Sequence, residues 1–222
     1  MEPIKRNFNY KELWPEIEQV KIDKMTSFLT KYPRRVVEIQ GIRHSYKQLR
    51  CYLNGEKWIS DTILNGYLSR FQSKNKVENT WICSSFEFCA IERNQNMEHL
   101  VYKLCSFHCL LMPICIANHW VVAQFYPSCH ELNIFDSLYD KNDYVENIFR
   151  QFWETVKEVN DWKTDLKVSS KNTPKQSDNS CGIYCILIIK SLLTGIPLPE
   201  HNDELEFFRQ NILYNILQNE FD

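Results

Sequence analysis

Apolar positions along this chain fall into runs of two periods, one helical and one extended, separated by polar turns. Between Lys11 and Thr30, the residues Leu13, Ile17, Val20, Met25, Phe28 and Leu29 recur at near-helical spacing and predict a helix ending before Tyr32-Pro33. Ser60-Asp61 supplies a helix cap ahead of Ile63, Leu64, Tyr67, Leu68 and Phe71, whose i, i+1, i+4, i+5, i+8 spacing predicts a second amphipathic helix. The polar run 73–80 then reads as a surface loop. Three short apolar runs, 110–116, 120–126 and 131–136, predict strands, with Pro127 to His130 as the turn between the last two. They form an antiparallel meander. Val145, Ile148, Phe149, Phe152, Val156 and Val159 draw a 3.6-period stripe, so 143–160 is an amphipathic helix covering one sheet face. Gly182 to Leu193 is apolar almost all round, as a helix buried in a domain centre should be, and Gly195, Pro197 and Pro199 stop it. A last helix, about 203–219, shows a stripe through Leu205, Phe208, Ile212 and Ile216. The sum is an α+β fold: a central mixed or antiparallel sheet with a buried helix packed across it.

Composition adds bounds. A chain of 222 residues that is 44% hydrophobic and 14% aromatic can bury a substantial core and fits one domain with a short extension. The boundary is drawn at 44/45, with a helical extension over 1–44 whose purpose the residues do not reveal. The net charge of −2 gives no basic field, so nucleic acid is not the expected partner. No apolar stretch reaches the ~18 residues of a membrane span, and MEPIKRNFNY lacks the apolar centre of a signal peptide. A soluble chain of the cytoplasm or nucleus is expected. Nine cysteines, an odd number without framework spacing, read as free thiols in a reducing compartment. Cys105, His108 and Cys109 lie close together, but a structural zinc site needs four ligands and no matching second pair appears. No metal is expected.

One thiol stands apart. The turn-forming Asp178-Asn179-Ser180 delivers Cys181 to the start of the central helix, where N–H groups and the helix dipole favour a negative sulfur. Gly182, lacking a side chain, would let a substrate backbone approach closely. Cys185, one turn deeper on the same face, belongs to the core. A hairpin centred on Ser128-Cys129 sets residues whose numbers sum to about 257 opposite each other. His119 then lies within one or two positions of facing Asp136, so imidazole and carboxylate can hydrogen-bond, leaving the second ring nitrogen for a thiol. Taken singly, each of these residues has an ordinary structural reading: a small core thiol, a satisfied histidine, a turn-capping aspartate.

The ordered set His119-Trp120, Asp136-Ser137, Gln176 and Cys181-Gly182 resembles the Ulp/SENP class of ubiquitin-like-modifier cysteine proteases, relatives of the adenovirus protease. GEKWISDTILNGYL, 55–68, is similar to the segment that opens that family's catalytic domain, and the resemblance covers roughly 45–195. It implies a papain-like fold of the Ulp/adenain type over 45–222 and a deconjugating thiol hydrolase. Cys181 would attack the carbonyl after a modifier's C-terminal Gly-Gly, His119 would act as base then acid, and Asp136 would hold the ring. Gln176 would donate to the oxyanion. Trp58 and Trp120 would wall a channel that admits only glycine, and Asp61 would meet a basic residue of the modifier. Two positions depart from the family's usual pattern: Gln176 precedes Cys181 by five residues rather than six, and Ser180 stands where aspartate is common. Ubiquitin, SUMO and the Nedd-type modifier all end in Gly-Gly and are the expected partners. A monomer without a cofactor is expected. Rival readings are a YopJ-like protein acetyltransferase with the same triad, which would need a phosphate site that no glycine-rich loop supplies, and a silent modifier-binding module.

Overall fold

The computed structural model describes residues 17–75, 79–95, 97–176, 179–196, 198 and 205–220. At its centre is a five-stranded mixed sheet in the order β3-β4-β5-β6-β7. Its strands are β3 (Thr80–Ile82), β4 (Cys109–Ile116), β5 (His119–Tyr126), β6 (Glu131–Phe135) and β7 (Lys167–Lys171). The antiparallel meander β4-β5-β6 forms as its apolar runs predict, and the parallel strands β3 and β7 are added at the two edges. Val122 pairs with Phe135 and Ala123 with Ile134, the register that a turn over 127–130 dictates. That turn is a single 3₁₀ turn, Pro127–Cys129, closed by His130 in the left-handed region at φ 55°.

Both faces of the sheet are covered. Leu110, Met112, Val121, Ala123, Phe125 and Ile134 point to one side, and α6 (Asp143–Asn160) lays Val145, Phe149, Phe152 and Val156 over them. Two short helices, α4 (Ser85–Glu92) and α5 (Met97–Cys105), complete that layer. Leu111, Trp120 and Val122 point to the other side, against α7 (Cys181–Thr194). This alternation with apolar residues on both faces is why β4 and β5 read as nearly unbroken apolar runs. Helix α7 is buried from Cys181 to Lys190 and ends at Gly195, whose left-handed φ of 72° suits a residue without Cβ. The further stop signals Pro197 and Pro199 lie outside the described residues.

Outside α7 sit α3 (Asp61–Lys74), α8 (Leu205–Leu217), α2 (Tyr46–Leu53) and α1 (Gln19–Lys31). Ser60 caps α3 by accepting from the Ile63 N–H, and Ile63, Leu64, Tyr67 and Leu68 are buried as the spacing requires. In α8, Phe208 and Ile212 are buried and Leu205 and Ile216 pack on the same core. The predicted beginning of this helix at 203 falls outside the described residues, as does 11–16 of the first helix. Helix α1 buries Ile22, Met25 and Leu29 in the core shared with α2, α3, α7 and α8. A hairpin of β1 (Val36–Ile39) and β2 (Ile42–Ser45) joins α1 to α2. No helix of the described residues is long and apolar enough to cross a membrane.

Candidate active site

Three elements bring His119, Asp136 and Cys181 together. Strand β4 turns into β5 through Ala117 and Asn118, both at positive φ (46° and 66°), the two-residue hairpin geometry that matches strand twist. His119 is therefore the first residue of β5. Asp136 follows the last residue of β6, one strand over, and the register places the two side chains side by side. The Nε2 of His119 lies 2.7 Å from Oδ1 of Asp136. Cys181 is the first residue of α7, packed against β5 and only 2% exposed. Its thiol is close enough to the His119 ring to be one of the groups that raise the affinity of the imidazole for its proton. Since Nε2 faces the carboxylate, Nδ1 is the ring nitrogen left to meet the thiol.

The carboxylate is held from several sides. Asp136 Oδ1 also accepts the backbone N–H groups of Leu138 (2.8 Å) and Tyr139 (3.0 Å), and Oδ2 accepts from the Asn142 amide (3.0 Å). Its own carbonyl accepts from the Thr173 hydroxyl at 2.6 Å. Burial opposes the charge on Asp136, but the hydrogen bonds from His119, Tyr139, Leu138 and Asn142 outweigh it and hold the carboxyl below its ordinary range. Burial likewise opposes a charged His119. Its hydrogen bonds with Asp136 and Cys181, and their negative charges, overcome that and push the imidazole up to about 9. These partners favour the protonated ring, and the N-terminus of α7 lies at the sulfur. Tyr139, itself exposed, stands edge-on to His119 with ring centres 5.7 Å apart.

Of the remaining predicted residues, Trp58, Asp61 and Trp120 share a cleft that His119, Asp136 and Cys181 do not themselves line. Trp120 is buried and locked by donation from its indole N–H to the Ile59 carbonyl at 3.0 Å. Trp58 is 45% exposed and donates to the Asn179 side-chain oxygen. Trp58, Trp120, Asp61, Phe86, Cys89 and Cys115 line a cleft of about 340 Å³. Asp61 opens α3, its carboxylate accepting the next backbone N–H at 2.8 Å, so the cap proper is Ser60. Gly182 has a packing reason for being glycine: a Cβ there would lie 2.9 Å from Cβ of Ile59 and 3.3 Å from Trp120. Gln176 is tied to the residue after Asp136, its N–H donating to the Ser137 carbonyl (2.9 Å) and its Oε1 accepting from the Ser137 hydroxyl (2.6 Å). Asp178 lies outside the described residues.

Sequence reasoning missed Asn142, Thr173 and Tyr139, and read Asn179 only as part of the turn before Cys181. Asn142 carried one signal, an Asn directly before a predicted helix, and it does cap α6 through the Val145 N–H. Its second bond, to Asp136, depends on tertiary contact alone.

Comparison with known proteins follows the same lines. The model of the Ulp1 protease family, C-terminal catalytic domain, matches residues 23–220. The C-terminal Ulp1 protease domain solved in complex with SMT3, the yeast ortholog of SUMO, superimposes with a TM-score of 0.73 at 17% identity, over 95% of this chain and 99% of that one. The Ulp1-like SUMO protease catalytic domain of Chaetomium thermophilum gives 0.69 at 16% identity, over 91% and 90%. The Xanthomonas campestris effector XopD bound to ubiquitin gives 0.55 at 15% identity, over 70% and 90%. At these identities the likeness to the solved structures is one of fold.

Proposed function

We propose that this chain, which belongs to the Ulp1 protease family and is a cysteine protease, cleaves after the C-terminal Gly-Gly of a ubiquitin-like modifier with Cys181 as nucleophile. The observation that carries the proposal is the orientation of His119. With Nε2 on Asp136 at 2.7 Å, the imidazole presents its other nitrogen to a thiol at a helix N-terminus.

The chemistry follows from that arrangement. The Cys181 sulfur attacks the carbonyl carbon of the terminal glycine, and the carbonyl oxygen becomes an oxyanion. The Cys181 backbone N–H and the Gln176 amide stabilise it. His119 passes its proton to the departing amine as the C–N bond breaks, leaving a thioester. Water then attacks the thioester, His119 accepts its proton, and the thiol and the modifier carboxylate are released. Asp136 stays ionised and keeps the ring oriented.

Trp58 and Trp120 enclose the extended Gly-Gly tail, and a larger residue near the scissile bond would collide with the immobile indole of Trp120. Asp61, in the same cleft, receives a basic residue of the modifier. Complexes of fold relatives with SUMO and with ubiquitin support a modifier as substrate. The test is hydrolysis of fluorogenic coumarin amides of ubiquitin, SUMO and the Nedd-type modifier by the full chain. Turnover of at least one is expected; turnover of none, by folded protein, overturns the proposal.

A further inference from the structure

Arg209 is a buried cation. It lies on α8, is 7% exposed, and no acidic group among the described residues pairs with it. Its guanidinium is held by neutral carbonyls: Nη1 donates to Tyr52 at 3.3 Å and Nη2 to Asn179 at 3.0 Å. The side chain lies against Gly55, where a Cβ would come 3.5 Å from Nε. Burying a guanidinium this way is costly unless a negative charge forms nearby.

Asn179 precedes Cys181 by two residues. Ser180, the N-cap of α7, makes no side-chain cap hydrogen bond, so the direction in which the helix sets out depends on what holds the backbone at 179. The Asn179 side chain also accepts from the Trp58 indole. One guanidinium thereby joins the end of α2, the turn before the thiol, and a wall of the cleft. Among the described residues, the ionisable groups that act on Cys181 or respond to it are His119 on β5, Cys115 on β4, Cys185 along α7 and Arg209 on α8, and Arg209 is the permanent cation of that set. Burial lowers the affinity of the Arg209 guanidinium for its proton, and negative charge on Cys181 acts the other way.

We infer that Arg209 is a positioning residue for Cys181: it clamps the Asn179 carbonyl so that the thiol meets His119 at the head of α7. The inference rests on the proposed role of Cys181.

The experiment uses the full chain as wild type, Arg209→Met, Arg209→Lys and Arg70→Met. Arg70 is a matched control, since its guanidinium also donates to two backbone carbonyls, those of Asn215 and Ile216, away from the site. Iodoacetamide labelling of Cys181 at neutral pH is followed over time by peptide mass spectrometry, with the other cysteines as internal references. Turnover of the Gly-Gly substrate gives kcat and KM. Arg209→Met should slow Cys181 labelling relative to the reference cysteines and lower kcat, each about tenfold, with KM little changed. Arg209→Lys should fall between, and Arg70→Met should overlay the wild type. A Met variant that overlays the wild type, or an Arg70→Met effect of equal size, overturns the inference. If Arg209→Met does not fold, Arg209→Lys decides by the same comparison. The wild-type curve bears on Cys181 as nucleophile, whereas only differences between variants bear on Arg209.

Discussion

Replacing Asp136 by asparagine removes one charge and almost no volume, so its effect can be worked from the hydrogen bonds. In the wild type, Oδ1 takes His119 and two backbone N–H groups while Oδ2 takes the Asn142 amide. An asparagine that keeps its oxygen toward His119 turns its NH2 onto the NH2 of Asn142. Asn142 cannot rotate its amide without cost, because its own oxygen caps α6 through the Val145 N–H. The variant should lose about 1 kcal/mol of stability, the scale of one helix cap. Catalysis should suffer more. A hydrogen bond to a charged group contributes about 1.5–3 kcal/mol against about 1 for a neutral pair, and each 1.36 kcal/mol is tenfold in rate, so kcat should fall roughly 10- to 100-fold. The carboxylate also helps hold His119 up to about 9. The imidazolium exists below that value and is lost above it, so the alkaline limb of the kcat profile should move to lower pH in Asp136→Asn. Steady-state turnover of the Gly-Gly coumarin substrate between pH 5 and 10 measures both. A kcat within threefold of wild type with an unmoved alkaline limb would refute the reasoning.

Three further outcomes are expected. Gly182→Ala must displace Ile59 or Trp120, and should lower stability by about 1–3 kcal/mol, read as a fall in urea midpoint, together with turnover. Gln176→Ala should reduce kcat by ~10²–10³ with KM little changed if its NH2 stabilises the oxyanion; an unchanged kcat would remove it from that role. Lys190 is buried beside the Tyr67 hydroxyl (3.2 Å) and the Phe71 ring, and burial lowers its amine to about 7. Between the ordinary value of 10.5 and about 7 the unfolded chain takes up a proton that the folded chain does not, so stability falls as pH falls through that window and then levels. Lys190→Met should therefore raise the urea midpoint, with a gain that grows from pH 10 to 7 and is flat below; a gain independent of pH would contradict the burial argument.

How far the chain could be read in advance depended on where the information lay. The meander, its register and the placing of His119 beside Asp136 follow from the length of one turn, because strand pairing is a counting problem once the turn is fixed. Helix α6 was legible to the residue, since its stripe and flanking polar positions are local. Strand β7, KVSSK, was not: as an edge strand it is mostly exposed and has no apolar alternation to announce it. Strand β3 is three residues long, too short for a period, and the loop read over 73–80 gives way to α3 at one end and to β3 at the other. Helices α4 and α5, the β1-β2 hairpin and α2 were likewise left unread. At the candidate site, His119, Asp136 and Cys181 could be picked out as candidates by their own chemistry, whereas residues that act through distant partners could not. Arg209 is the clearest case: its position next to Phe208 on an apolar stripe gives no hint of carbonyl partners 157 and 30 residues away.

The most direct test of the central claim is to treat the full chain and Cys181→Ala with ubiquitin, SUMO and Nedd-type modifiers carrying a C-terminal electrophile, and to map the modified residue by mass spectrometry. A thioether on Cys181 with at least one probe, and none on the alanine variant, is the predicted result. Labelling that persists in Cys181→Ala or maps to another cysteine, or no labelling by any probe, would contradict the claim that Cys181 is the nucleophile of a modifier protease.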